Sequence, residues 1–484
     1  MTSKSTSKQA IQGVIWTYLS YYSGKLLVFL STIVLARLLS QDDFGVAGYA
    51  LVVINSLNVL NDLGVGQALI YLKKDPKATD TAFWLSILIS TTLFVLTWLA
   101  APYAGSFFED PRAVPVIRAL SFNFPLRALG YMHDMLLRKK LSFKRKFVPD
   151  LSRSIAKGIF SIALAYLGYG AWSLIYGQLV GAAVASAVYW IMVPWRPKFF
   201  FDKGLAKNLL SYGLNIVAVS GLSVFLDNLD SLLIGKYIGA AALGVYTLAF
   251  RIPDMLVMQF NSLVSRVIFP FYAKMRDDEN SLQRSFLYST KYLTLITVPM
   301  GIGVVAVARP LVMTLFGDKW MEAIPVMQAL SIYSVVVSLV HNAGDVYKAQ
   351  GRPQILTRLT FFEGLILIPI VYYTIVVQGT IVAASWGRVI VAFALTSVSL
   401  YIAVRMLKIS FADVFKAIAP ASFAGIFMWL LVTLAISQLS ETAYVLQLIV
   451  GILVGGLAYL GGIWILQKDL LLDGIKILRK AVVR

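Results

Sequence analysis

The chain has 484 residues, 58% of them hydrophobic and only 14% charged, with 43 Lys and Arg against 24 Asp and Glu for a net charge of +19. So few charges cannot build the polar surface of a soluble fold, which excludes a water-soluble enzyme or nucleic-acid-binding domain and leaves an all-α integral membrane protein. Cysteine is absent, so disulfides, thiolate metal sites and cysteine nucleophiles are excluded too.

The opening MTSKSTSKQA carries two lysines and leads into an apolar run reaching about Leu35, too long for the core of a cleavable signal, so a retained first span is expected. Windows of about twenty apolar residues predict helices at 10–36, 44–70, 82–104, 113–132, 147–167 and 169–194. A second set falls at 207–234, 242–272, 288–315, 322–346, 355–376 and 380–404, and a last pair at 414–437 and 444–466. Fourteen spans put both termini on one side. By this division about 30 basic residues lie on that side, about four on the other and about nine within spans, which predicts cytoplasmic termini. The run from Arg138 to Lys146 reads as an orientation signal and a contact for anionic membrane lipids. The closing KDLLLDGIKILRKAVVR reads as a short helix on the inner leaflet.

An offset of 199 residues lays LARLLSQDDFG (35–45) over IGKYIGAAALG (234–244) without a gap, each at the hairpin joining the first two helices of a six-helix block. Two such blocks share one orientation, as parallel repeats about an axis along the membrane normal. Three parts are expected: 1–200 with helices 1–6, 201–408 with helices 7–12, and 409–484 with the last pair and a tail. The segment from Gly13 to Ile70, beginning GVIWTYLSYYSGKLLVFLSTIVLARLL, resembles the N-terminal signature of the polysaccharide-transporter branch of the multidrug/oligosaccharidyl-lipid/polysaccharide exporter superfamily. FLDNLDSLLIGKYIGAAALGVYTLAFRIP (225–253) resembles the second repeat of that family. The resemblance implies two lobes around a cavity that opens alternately to each side. It also implies a substrate of the lipid-linked kind, an undecaprenyl-diphosphate oligosaccharide of colanic-acid, O-antigen or teichuronic-acid type, with the extra helix pair guiding the lipid tail.

Lys25, Arg118, Arg127, Arg153, Lys157, Arg251, Arg266, Arg309 and Arg388 interrupt the spans, and each would cost about 2.5–3.5 kcal/mol at a lipid-facing helix centre. In helix 5, Asp150, Arg153 and Lys157 share a face at i, i+3 and i+7. Their combined cost of about 9 kcal/mol exceeds the roughly 4–5 kcal/mol returned by the aliphatic residues, so this face needs a wet or polar neighbour. Surplus positive charge there suits an anion such as a diphosphate, with helix-to-helix pairing as the alternative. Lys25, about 22 Å along helix 1 by helical rise, is too deep to snorkel and points to the cavity or to a pair with Asp62 or Asp227. Arg127 is the deeper of the two helix 4 arginines. Arg251 and Asp254 lie at i and i+3 with Pro253 between them, where a kink is expected. The substrate-binding candidates are thus Lys25, Arg127, Arg153, Lys157 and Arg251. Asp227 and Asp230, again at i and i+3, suit a sodium ion or a retained proton, and with Asp62 and Asp254 form the coupling or gating set. Asp345 and Glu363, near Lys348, Arg352 and Arg358, read as a gate or a surface salt bridge. Gly64, Gly66, Gly301 and Gly303 suit close helix packing.

His133 and His341 have no partner at metal-ligand spacing, so no metal or other cofactor is expected beyond a coupling Na+ or H+. The reading is a multi-pass plasma-membrane flippase, bacterial or archaeal, that breaks no bond. Its partners would be the lipid-linked oligosaccharide, anionic lipids and the polymerase and glycosyltransferase machinery. The alternatives are a multidrug or cation antiporter of the same superfamily, whose cavity would need surplus carboxylate, and a polysaccharide polymerase or ligase, which would need a longer outward loop.

Overall fold

The computed structural model describes residues 23–62, 76–140 and 142–482, and the regular structure among them is helical throughout. Two compact units divide it, Met1–Gly244 and Val245–Arg484. The first contains α1, described over 23–38, α2 (Gln41–Asp62), α3 (Pro76–Phe108), α4 (Ala113–Ser121), α5 (Asn123–Lys139), α6 (Phe143–Tyr166), α7 (Ala171–Met192) and α8 (Lys203–Tyr237). Within α9 (Ala240–Pro253) the chain passes into the second unit, which continues through a π-helical turn at Asp254–Met258 into α10 (Gln259–Lys274) and α11 (Glu279–Leu315). There follow α12 (Ala323–Ser338), α13 (Ala343–Ala349), α14 (Gln354–Tyr372), α15 (Ile381–Leu407), α16 (Phe411–Gln438) and α17 (Tyr444–Val482).

These helices keep the order of the expected spans, and ten of the described stretches are long and apolar enough to cross a bilayer. The multi-pass, all-α membrane fold therefore stands. Two expected spans are broken. The one at 113–132 divides at Phe122 into α4 and α5, and the one at 322–346 divides around His341 and Asn342, which lie in a turn rather than in a helix. The disruption expected at Pro253 is present as the π-helical turn directly after it, since proline removes a donor and pushes on the preceding carbonyl. At the C-terminal end Gln467 leaves the helical region, with φ −155° and ψ 62°, so the last apolar span and the basic tail are separate helical pieces.

The hairpins matched at an offset of 199 residues lie against each other in the first unit. A Cβ on Gly45 would sit 1.7 Å from the carbonyl oxygen of Ala240, and one on Gly244 would sit 2.1 Å from that of Gln41. The contact is reciprocal. Gly45 and Gly244 are equivalent under the offset, as are Gln41 and Ala240, so this is an isologous crossing about a local two-fold axis. It is geometric evidence for the repeat that sequence composition alone supports only weakly. Next to it, Arg112 bridges Asp42 of α2 and Asp110, the latter at 2.8 Å. Its guanidinium holds the Asp110 carboxyl below the usual carboxylate range, so the bridge contributes above that range and weakens as the pH falls through it. Asp43 starts two helices: Oδ2 accepts from the backbone N of Ser40 at 2.9 Å, and Oδ1 from the N of Ala171 at 3.0 Å.

In the second unit Gly301 packs tightly on α12, where a Cβ would meet Val335 at 2.2 Å, whereas Gly303 makes only ordinary contact. Gly64 and Gly66 lie outside the described residues. Because neither backbone at the Gly45–Gly244 crossing can yield, Gly45→Leu or Gly244→Leu should cost about 3 kcal/mol or more, measured as a lowered unfolding temperature in detergent. Gly456→Ala, with open space at its Cβ, should leave that temperature unchanged.

Candidate functional site: a cationic cavity in the first unit

A cavity of about 260 Å³ lies among α2, α3, α5, α6 and α7, lined by Asn58, Asn61, Ser86 and Ser90, by Arg127, Asp134 and Arg138 of α5, by Lys146, Asp150 and Arg153 of α6, and by Ser186 and Tyr189 of α7. Four basic side chains face two acidic ones. The distribution of hydrogen bonds decides which charges are committed. Lys146 Nζ lies 2.7 Å from Asp134 Oδ1 and 2.9 Å from Asp150 Oδ2, and Arg138 Nη2 lies 2.8 Å from Asp134 Oδ2. The Tyr189 hydroxyl donates to Asp134 Oδ1 at 3.0 Å. Both carboxylates are thus engaged by Lys146 and Arg138.

The other two cations are held differently. Arg127 Nη1 donates to the side-chain oxygen of Asn58 at 3.1 Å, a neutral acceptor that leaves its charge uncancelled at that contact. Arg153 Nε is buried with no hydrogen-bond partner. A buried guanidinium N–H without an acceptor costs free energy that a bound anion would recover. The cavity thus carries more basic than acidic side chains, with a paired network on one side and the unbonded Arg153 Nε on the other.

α6 packs closely on α7 along the same stripe that carries its charges. The positions facing Gly177 and Gly181 of α7 are the backbone of Arg153 and Lys157 and the side chain of Ser161. Asp150 and Arg153 line the cavity, whereas Lys157 stands a turn beyond the lining with its Cβ against Gly181. Lys25 lies half-buried on α1, beside the point where Gly24 approaches Ser154 of α6. Asp62 ends α2, but its side chain lies outside the described residues. Asp227 is exposed on α8, while Asp230 is buried and its Oδ1 accepts from the N of Ser231 at 3.0 Å. Arg251 and Asp254 belong to the second unit, where Asp254 Oδ2 accepts from Gln259 Nε2 at 2.8 Å. Of the nine candidate side chains, the cavity brings together Arg127 and Arg153.

Sequence reasoning missed Asp134, Arg138, Lys146 and Tyr189. The first three were assigned to a loop because the spans were ended at 132 and begun at 147, whereas the helices run to Lys139 and start at Phe143. The signal was present in the spacing, since Asp134 with Arg138 and Lys146 with Asp150 are both i, i+4 pairs of opposite charge. His133 is fully buried between the rings of Trp190 and Trp195, 4.9 and 5.3 Å away, and no metal-binding cluster occurs among the described residues. In the second unit Asp345 pairs with Lys348 at 3.4 Å, but its carboxylate is buried and also accepts from Ser265, so it is not the surface salt bridge expected there.

Residues 34–325 match the family model described as polysaccharide biosynthesis protein. The chain belongs to this family. It is 26% identical to the teichuronic acid biosynthesis protein TuaB of Bacillus subtilis, over 98% of this chain and 99% of that protein. It is 25% identical to the succinoglycan biosynthesis transport protein ExoT of Rhizobium meliloti, over 97% and 96%, and 26% identical to the lipopolysaccharide biosynthesis protein WzxC of Escherichia coli, over 78% and 77%. The fold is that of the lipid II flippase MurJ in an inward closed conformation, with a TM-score of 0.76 at 15% identity, covering 94% of this chain and all of that one. An inward-facing multidrug resistance transporter of the MATE family shares it with a TM-score of 0.66 at 17% identity over 79% of this chain and 94% of that one. The family description thus places the chain among polysaccharide biosynthesis proteins, and its fold is shared with membrane transporters.

Removing Asp134 should strand both Arg138 and Lys146. Asp134→Ala should lower stability by more than the ~1 kcal/mol of an exposed pair and by no more than the ~3–5 kcal/mol of a fully buried one, read from thermal unfolding in detergent. Asp150→Ala, which leaves Lys146 its shorter contact with Asp134, should cost less.

Proposed function

We propose that the protein is a flippase that carries undecaprenyl-diphosphate-linked oligosaccharide repeat units from the inner to the outer leaflet of a bacterial or archaeal plasma membrane, with both termini cytoplasmic. The observation that carries the reading is the cavity's surplus of positive charge, with Arg153 Nε unpartnered and Arg127 bonded to a neutral amide. The relatives named for teichuronic acid, succinoglycan and lipopolysaccharide synthesis support the substrate class.

The barrier to be lowered is the transfer of a hydrated, multiply charged headgroup through hydrocarbon. Fixed guanidinium and ammonium groups replace the water that a diphosphate loses, and they are oriented before it arrives, so little reorganisation is required. Arg127 and Arg153 would each offer a fork to phosphate oxygens, while the Asp134, Arg138, Lys146 and Tyr189 network keeps the wall rigid. At about 260 Å³ the cavity falls below the usual range of sites that enclose a drug-sized ligand, so it would take the phosphates and leave the sugars outside it. The lobes 1–200 and 201–408 would alternate in access and the pair in 409–484 would accompany the lipid tail. Asp230, the buried member of the carboxylate set, would be the coupling group for Na+ or H+. An antiporter for cationic drugs would place its surplus charge on the opposite side.

In proteoliposomes loaded with a lipid-linked oligosaccharide, Arg127→Gln and Arg153→Gln should each slow translocation about tenfold or more, the loss expected for one charge-assisted hydrogen bond of roughly 1.5–3 kcal/mol. Lys157→Gln should have a smaller effect. Wild-type rates in both arginine variants would remove the proposed role of the cavity.

A further inference from the structure

Away from this cavity, a groove of about 510 Å³ runs along α3, α4 and α7, walled by Trp98, Pro115, Phe122, Trp172 and Tyr176, with Arg118 on its floor. Trp98, Phe122 and Tyr176 are each more than a third exposed, and Leu96, Leu99 and Tyr103 on the same helix are more exposed still, so the groove opens on an apolar outer surface. Trp172 and Tyr176 stack with ring centroids 5.3 Å apart.

A charged side chain here needs a reason, and the sequence of α3 supplies half of it. The carbonyl of Trp98 would be bonded by the N–H four residues on, but that residue is Pro102, which has none. Arg118 Nε donates to that carbonyl at 3.3 Å, and the guanidinium lies over the Trp98 ring, 5.5 Å from its centroid. This contact fixes the guanidinium in place and uses one N–H. Among the described residues, the four N–H groups on the two terminal nitrogens bond to no protein group and Arg118 pairs with no carboxylate.

We infer that this groove binds the headgroup phosphate of a monoanionic phospholipid, with Arg118 forking onto the phosphodiester and the aromatic walls holding the first part of the acyl chains. Depth and charge select this occupant. Arg118 is five residues into α4, about 7–8 Å from its start by helical rise, which places it at the boundary of headgroups and acyl chains where phosphates lie. Glu109, Asp110 and Arg112 mark the polar side of that boundary. One cation matches the single charge of a phosphodiester, rather than the diphosphate of a lipid-linked sugar or the paired phosphates of a dimeric lipid. The inference does not rest on the transport reading.

Native mass spectrometry of the full chain, released from detergent doped with phosphatidylglycerol or phosphatidylcholine, tests it. The wild type should retain one phosphatidylglycerol with about tenfold preference, and Arg118→Gln should lose that preference. In Pro102→Ala/Arg118→Gln the new N–H at position 102 satisfies the Trp98 carbonyl, so the helix keeps its hydrogen bonds while the lipid site is lost. Undiminished phosphatidylglycerol retention in the double variant would overturn the inference. So would equal retention of phosphatidylcholine by the wild type, or displacement of phosphatidylglycerol by an equimolar polyprenyl diphosphate.

Discussion

A charge placed within a hydrocarbon layer has to be met by an opposite charge, a dipole, water or a ligand. Several ionisable groups of the first unit use one of these. Lys146 and Arg138 are met by Asp134 and Asp150, Arg118 by the carbonyl that Pro102 leaves unbonded, and Arg127 by Asn58. Arg153 Nε has no such partner, and it faces a cavity already furnished with hydroxyls and amides. Under the proposed function, the paired charges stiffen a wall and the Arg153 Nε donor is open to an anion.

The same constraint explains how the helices are packed. The charged stripe of α6 lies close to protein, where Gly177 and Gly181 of α7 let the backbones approach, while Ile155, Ile159 and Phe160 elsewhere on the helix are exposed apolar surface of the kind a bilayer covers. One buried polar cluster of the second unit shows the satisfied version of this rule. Asn342 donates to Ser289 at 2.8 Å and to Thr290 at 3.0 Å, and with Tyr272 forms a closed hydrogen-bonded knot with no surplus charge. A network with every donor spent rigidifies its helices, whereas one with a donor in reserve can bind.

Hydropathy carried the fold, because a bilayer imposes one length on every span and leaves helices as the structure that satisfies the backbone internally. It also pointed to α6 as the helix that could not face lipid all round, and Arg153 does line the cavity. What hydropathy could not mark was where a helix continues past the apolar layer. Asp134, Arg138 and Lys146 are polar, and so read as loop, yet they sit on helical extensions that turn their charges inward. The break at Phe122 did leave a mark that hydropathy does not register, since Pro125 stands in the first turn of α5, where its missing N–H costs nothing. Conversely, the hairpin repeat gave little in composition, and its strength emerged only in the reciprocal contact of Gly45 with Ala240 and Gly244 with Gln41.

The central claim is that the cavity of the first unit is wet and net positive. Because the chain has no cysteine, a single thiol introduced as Ser90→Cys on the lining reports its surroundings without background. In membranes, a negatively charged thiosulfonate reagent should modify that thiol about tenfold faster than a positively charged one after correction for their intrinsic rates, and inorganic pyrophosphate should slow the reaction. A thiol that resists both reagents, or one that prefers the cationic reagent, would contradict the account.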